Sequence, residues 1–125
     1  MSDNLWPTDF GTIGEKTPVS ILREQGGALG ARTGNTVLGR VVTGGATPGK
    51  FQQVFSIYCP PLSYQMKLFE VDHDIALYPA NIFVDGIPDP FIANNPDEFT
   101  AHLKAIFSLD KTKKIIASLI AQSLP

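Results

Sequence analysis

Asp72, His73 and Asp74 form the densest ionisable group of the chain, with Glu70 two positions before Asp72. Side chains alternate between faces along a strand, so Glu70, Asp72 and Asp74 share one face while His73 points to the other. Three carboxylates in a row offer hard oxygen ligands to a divalent cation, or raise one another's affinity for a proton. Glu70, Asp72 and Asp74 are therefore the candidate metal ligands, and a small metal-dependent or hydrolytic enzyme centred on Asp72, His73 and Asp74 is one functional reading. A two-histidine motif such as H-E-x-x-H is missing, since His102 is the only other histidine. The competing reading is a solvated strand end running into a turn, the commoner fate of clustered charge.

Other constellations carry less chemistry. Gly44, Gly49 and Lys50 have the G-x-x-x-x-G-K spacing of a phosphate loop, but Phe51 follows where Ser or Thr is needed, and a strand follows where a helix is needed. A plain hairpin loop fits better. Gly26, Gly27 and Gly30 fail as a dinucleotide fingerprint because no strand precedes them. Cys59 with His73 could be drawn as nucleophile and base, but no third orienting group can be assigned, and a buried inert thiol suits a residue placed before two prolines. No serine elbow G-x-S-x-G occurs. Catalytic residues and cofactor ligands are thus assigned to no position. Lys111, Lys113 and Lys114 fall in the first turn of a predicted last helix, where the dipole disfavours cations by about 0.3–1 kcal/mol each. Solvation with Asp110 as cap would compensate them; so would the acidic middle of the chain, or a bound anion.

Composition bounds the setting. The 125 residues include 37 Leu, Ile, Val and Phe, enough for a packed core, and 11 Gly with 10 Pro, which predict many turns. One domain spanning 1–125 is expected. No apolar run approaches the roughly 18 residues of a membrane span, and the acidic start does not read as a signal peptide, so a cytoplasmic protein without membrane contact is the simplest expectation. One cysteine excludes an intrachain disulfide. The net charge of −2 hides a division: Leu68 to Leu103 holds seven of the twelve acids and no Lys or Arg, and Lys104, Lys111, Lys113 and Lys114 follow. Without a basic stripe carrying interleaved aromatics, nucleic acid is not an expected partner.

The elements that must position these residues can be read in order. Residues 1–16 form an irregular arm whose Leu5, Trp6, Phe10 and Ile13 are expected to pack on the body. Thr17 and Pro18 start a helix to about Arg32. Gly26 and Gly27 inside it each cost about 1 kcal/mol relative to Ala, so either another element packs close there or the helix bends. Strands are predicted over Thr36–Thr43, Phe51–Cys59, Tyr64–His73 and Leu77–Val84, with Pro79 marking an edge or a bulge. Asp85–Asn94 reads as a turn-rich loop folded back on the body through Ile87, Phe91 and Ile92. Asn95 caps a helix over Pro96–Phe107 with Glu98 three residues on, and Asp110 opens a last helix to about Ser123. The fold class is α+β: a four-stranded antiparallel meander with one N-terminal and two C-terminal helices, in the order αββββαα.

In the third strand the apolar positions switch from even (Tyr64, Met66, Leu68) to odd (Phe69, Val71, Ile75), which implies a bulge near Leu68 and Phe69 or burial on both faces. The second strand places Phe55 and Ile57 on one face and Val54 and Tyr58 on the other. A second covered face needs a cover: the arm, a helix, another subunit or a partner. The interaction candidates are therefore Val54, Tyr58 and Phe69 on the sheet, with Lys111, Lys113 and Lys114 on the last helix.

The opening Thr17-Pro18-Val19-Ser20-Ile21-Leu22-Arg23-Glu24-Gln25, with Leu29-Gly30 and Thr33 after it, resembles small bacterial proteins of unknown function. Tyr58-Cys59-Pro60-Pro61-Leu62-Ser63-Tyr64 and Leu77-Tyr78-Pro79 are similar to the same group. The resemblance implies a bacterial cytosolic origin and carries over no catalytic residue. The leading expectation is a non-catalytic interaction or accessory domain that binds a protein partner or itself as a homo-oligomer. The enzyme centred on Asp72–Asp74 is the alternative, and small-ligand binding between sheet and helices is a third reading that requires a cavity.

Overall fold

A computed structural model describes residues 4–45 and 47–125. Helix α1 (Pro18–Arg32) leads into strands β1 (Leu38–Gly44), β2 (Lys50–Cys59), β3 (Tyr64–Asp74), β4 (Ala80–Val84) and β5 (Phe91–Ala93), then helices α2 (Pro96–Phe107) and α3 (Asp110–Ser123). All strand pairs are antiparallel, and the spatial order β1-β2-β3-β4-β5 is that of a meander. The α+β class holds, with five strands in place of four. The extra strand is cut from the expected loop: Phe91 pairs with Ile82 and Ala93 with Ala80, so β4 lies inside the sheet instead of at its edge. Pro79 stays outside the ladder, joined to Tyr78 by a cis peptide bond, and β4 begins one residue later.

The helix starts follow the local chemistry. The Thr17 hydroxyl accepts from Ser20 N–H at 3.2 Å, and Pro18 occupies the first turn, where no N–H is needed. The Asn95 side chain accepts from Glu98 N–H at 2.8 Å. Glu98 in turn accepts from Asn94 N–H at 3.0 Å, one residue further out than in the usual capping box. That backbone hydrogen bond, ahead of the Asn94 amide and the nearby His102, holds the Glu98 carboxyl below its ordinary range despite some desolvation. Helix α3 departs from expectation. Its cap is Leu109, with Asp110 as the first helical residue and no side-chain cap, while the buried Thr112 hydroxyl donates to Ile106 C=O at 2.9 Å and ties α3 to the end of α2.

All three helices lie on one face of the sheet. Phe55 stacks on Phe69 at 5.1 Å between ring centroids, and both meet Phe107 of α2 at 5.6 and 6.0 Å. Ile57, Val71, Ile82, Phe99, Leu103 and Ile106 complete this buried layer. Of the two helix glycines, Gly26 is the one in close contact. A Cβ there would stand 2.5 Å from the carbonyl oxygen of Gly39, and a Cβ on Gly39 would stand 2.6 Å from Gly26 Cα. Two facing glycines thus let α1 cross β1 backbone to backbone, whereas Gly27 faces open space.

The parity change in β3 is a bulge. Phe55 pairs with Phe69 but Ser56 pairs with Lys67, leaving Leu68 without a partner on β2. Leu68 and Phe69, adjacent in sequence, are therefore both buried.

Candidate functional site

Strand register carries the carboxylate row onto the face away from the helices, because Glu70 pairs with Val54, Asp72 with Gln52 and Asp74 with Lys50. Their chemistry is separate. Glu70 accepts from the Gln52 amide at 2.8 Å and pairs with Lys67 at 3.9 Å, while Asp74 accepts from Ala76 N–H at 2.9 Å in the β3–β4 turn. Same-face neighbours on a strand lie roughly 6.6 Å apart at about 3.3 Å rise per residue, too far for the three to meet on one cation while Glu70 and Asp74 are held elsewhere. Among the described residues no three His, Cys, Asp or Glu side chains come together in a group that could hold a metal ion, and this corrects the expected Glu70, Asp72 and Asp74 site.

His73 is buried on the opposite face beneath Phe51, with ring centroids 5.5 Å apart. Its Nδ1 lies 2.9 Å from Asp74 C=O, and its Nε2 lies 3.2 Å from the Gln53 amide nitrogen. The Gln53 oxygen accepts from the Thr43 hydroxyl at 2.6 Å. These partners assign one consistent set of roles: Nδ1–H donates to the carbonyl, and Nε2 accepts from Gln53. Both nitrogens of His73 are thus occupied in holding β1, β2 and β3 together. Nor can it serve Cys59. His73 pairs with Phe51 at one end of β2, and Cys59 lies at the other, roughly 26 Å along the strand at about 3.3 Å per residue. Cys59 is fully buried, its Sγ 3.4 Å from the Ser123 hydroxyl.

Two concavities remain. A polar cleft of about 340 Å³ opens at the sheet end, lined by Lys50, Phe51, Gln52, Asp72, His73 and Asn81 among others. Asp72 is among its lining residues, and Asp72 Oδ1 is the one buried side-chain oxygen or nitrogen without a hydrogen-bond partner among the described residues. Between α1 and α3 a groove of about 440 Å³ runs over Phe55, Ile57 and Leu68, walled by Leu29 and Ile116 with Gln25 and Arg32 beside it. It supplies the space that small-ligand binding between sheet and helices requires.

The interaction candidates divide. Val54 and Tyr58 lie half-buried on the face away from the helices, where Arg40 lays its guanidinium 3.7 Å above the Tyr58 ring and donates to Gln65 at 3.2 Å. Phe69 is corrected: it is fully buried under the helices and presents nothing to a partner. Lys113 and Lys114 are exposed, and Lys111 donates to the Asp85 carbonyl at 3.4 Å. Among the described residues the ion pairs are Lys16–Glu24 and Lys67–Glu70, so the three lysines do not pair with acidic side chains.

Residues that sequence reasoning missed complete that face. Val42 pairs with Val54, and Phe83 pairs with Glu70, so Val42, Val54, Glu70 and Phe83 form one cross-strand row; Ile92 lies one strand further, opposite Asn81. Val42 is 58% exposed, Ile92 52% and Phe83 39%. No described helix covers them, and neither does the arm. Leu5, Trp6, Phe10 and Ile13 are themselves 72–93% exposed, which corrects the expectation that they pack on the body. Among the described residues the arm is fixed at its root, where Tyr78 OH donates to Lys16 C=O at 2.8 Å and Lys16 pairs with Glu24. The signal for the open face was present in the alternation of β1 and β4, but β5 had to be recognised before Ile92 could be placed.

No family model, curated protein or solved structure matches this chain. Among the described residues no helix is long and apolar enough to cross a membrane.

Proposed function

We propose that this chain is a non-catalytic interaction domain whose binding surface is the sheet face opposite its helices. One observation supports the reading above the others: Val42, Phe83 and Ile92 stand exposed on an uncovered sheet face, with Glu70 inside the row that joins Val42 to Phe83 and the polar side chains Arg40, Gln65 and Lys67 along one border. An apolar patch with a polar rim is the composition of a protein-binding surface. Of the nucleophile, base and metal-ligand candidates, Cys59, His73, Glu70 and Asp74 are each engaged in holding the fold. Substituting Val42→Lys with Phe83→Lys charges the middle of the patch without touching the helix-covered core. The double variant is expected to keep its circular dichroism and to lose at least tenfold in affinity for the partner, measured by titration of the purified pair. Unchanged affinity would remove this face from the binding surface.

A further inference from the structure

We infer that the occupant of the open sheet face is the amino-terminal arm of a second copy of this chain, the two arms exchanged reciprocally. The inference rests on reading that face as the binding surface. A single chain leaves both halves of such a contact unused. Leu5, Trp6, Phe10 and Ile13 are exposed on an arm whose hydrogen bonds to the rest of the chain, among the described residues, are all at Lys16, and Val42, Phe83 and Ile92 are exposed on the sheet face opposite the helices. Isolated segments this rich in large apolar side chains cost free energy in water until something covers them. Pairing two copies about a twofold axis satisfies both arms and both faces with one set of contacts.

Reach and area agree. The twelve residues from Leu5 to Lys16 extend to roughly 40 Å at about 3.3–3.6 Å each. A five-stranded sheet is about 24 Å across at about 4.8 Å between strands. Trp6 and Phe10 bring roughly 150–250 Å² each. With Leu5 and Ile13, counted from both arms and both faces, the total reaches the roughly 1,200–2,000 Å² of a stable interface.

Trp6 is the sole tryptophan, so its emission reports the arm alone. Light scattering and fluorescence on the full chain are expected to give twice the chain mass together with Trp6 emission shifted to short wavelength. A short-wavelength emission at monomer mass means the arm folds on its own body and overturns the inference. Solvent-exposed emission at either mass also overturns it. The variant carrying Leu5→Ser and Phe10→Ser is expected to fall to monomer mass, and a variant that stays dimeric rejects arm exchange while leaving the face free for another occupant. Val42→Lys with Phe83→Lys is expected to abolish both dimer and emission shift; if both persist, the arm docks elsewhere and the reading of the face falls with it.

Discussion

At the scale of single residues, identical residue types carry different consequences according to what they touch. Gly26 and Gly27 are neighbours in α1, yet one meets the Gly39 backbone and the other meets solvent. Gly27→Ala is expected to stabilise the protein by about 0.5–1 kcal/mol, the helix-interior difference between the two residues. Gly26→Ala forces α1 away from β1 and is expected to cost about 1–3 kcal/mol, in the manner of an overpacked core. Urea unfolding of the two variants checks both signs, and equal effects would remove the close crossing from the account. From sequence the pair could be recognised as a place of close approach or bending, but choosing between Gly26 and Gly27 needs the angle at which the strand crosses. The carboxylate row shows the same limit. Its common face was readable from alternation, whereas the hydrogen bonds that commit Glu70 to Gln52 and Asp74 to Ala76 depend on partners across the ladder and the turn.

At the scale of elements, termini were more legible than sheet membership. The caps at Thr17 and Asn95 are local chemistry, written within four residues, and both form. Strand β5 is three residues long, set between Pro90 and Asn94, and it has no period of its own; only pairing with Ala80–Ile82 makes it a strand. The cap of α2 makes a measurable prediction. Asn95→Ala is expected to cost about 0.5–2 kcal/mol by orphaning an N–H of the first turn. Glu98 has its carboxyl held below the ordinary value near 4.5 by the Asn94 N–H, so it contributes stability above that value, lost as pH falls through the lower folded-state value. Glu98→Gln should flatten that acid limb in thermal melts taken from pH 6 to pH 2; an unaltered limb would assign the acid sensitivity to other groups.

At the scale of the whole molecule, the layers follow from segregation of helices and strands in sequence, and this much was readable. Which face stayed bare was not, because it depended on whether an irregular arm folds back. Tyr78 sits where these parts meet, its ring edge-on to Phe99 of α2 at 6.3 Å and its hydroxyl on the arm root at Lys16. Burial, with the negative charge of Glu15, pushes its phenol up to about 12. The folded state therefore keeps the proton that the unfolded chain releases near its ordinary value of about 10, and stability present below that value falls as pH rises from about 10 to about 12. Tyr78→Phe should remove this component of the alkaline loss, seen as a shallower decline in melting temperature over that range; an identical decline in both proteins would place its origin elsewhere. The bulge in β3 has one more consequence. β3 has 11 residues against the 10 of β2, and the surplus is Leu68 alone. Excising it would bring Lys67 and Phe69 into ordinary succession with each still on its present side. The strand therefore contains a point where loss of one codon alters length while conserving the orientation of every other side chain, which a loss elsewhere in the strand would reverse on one side.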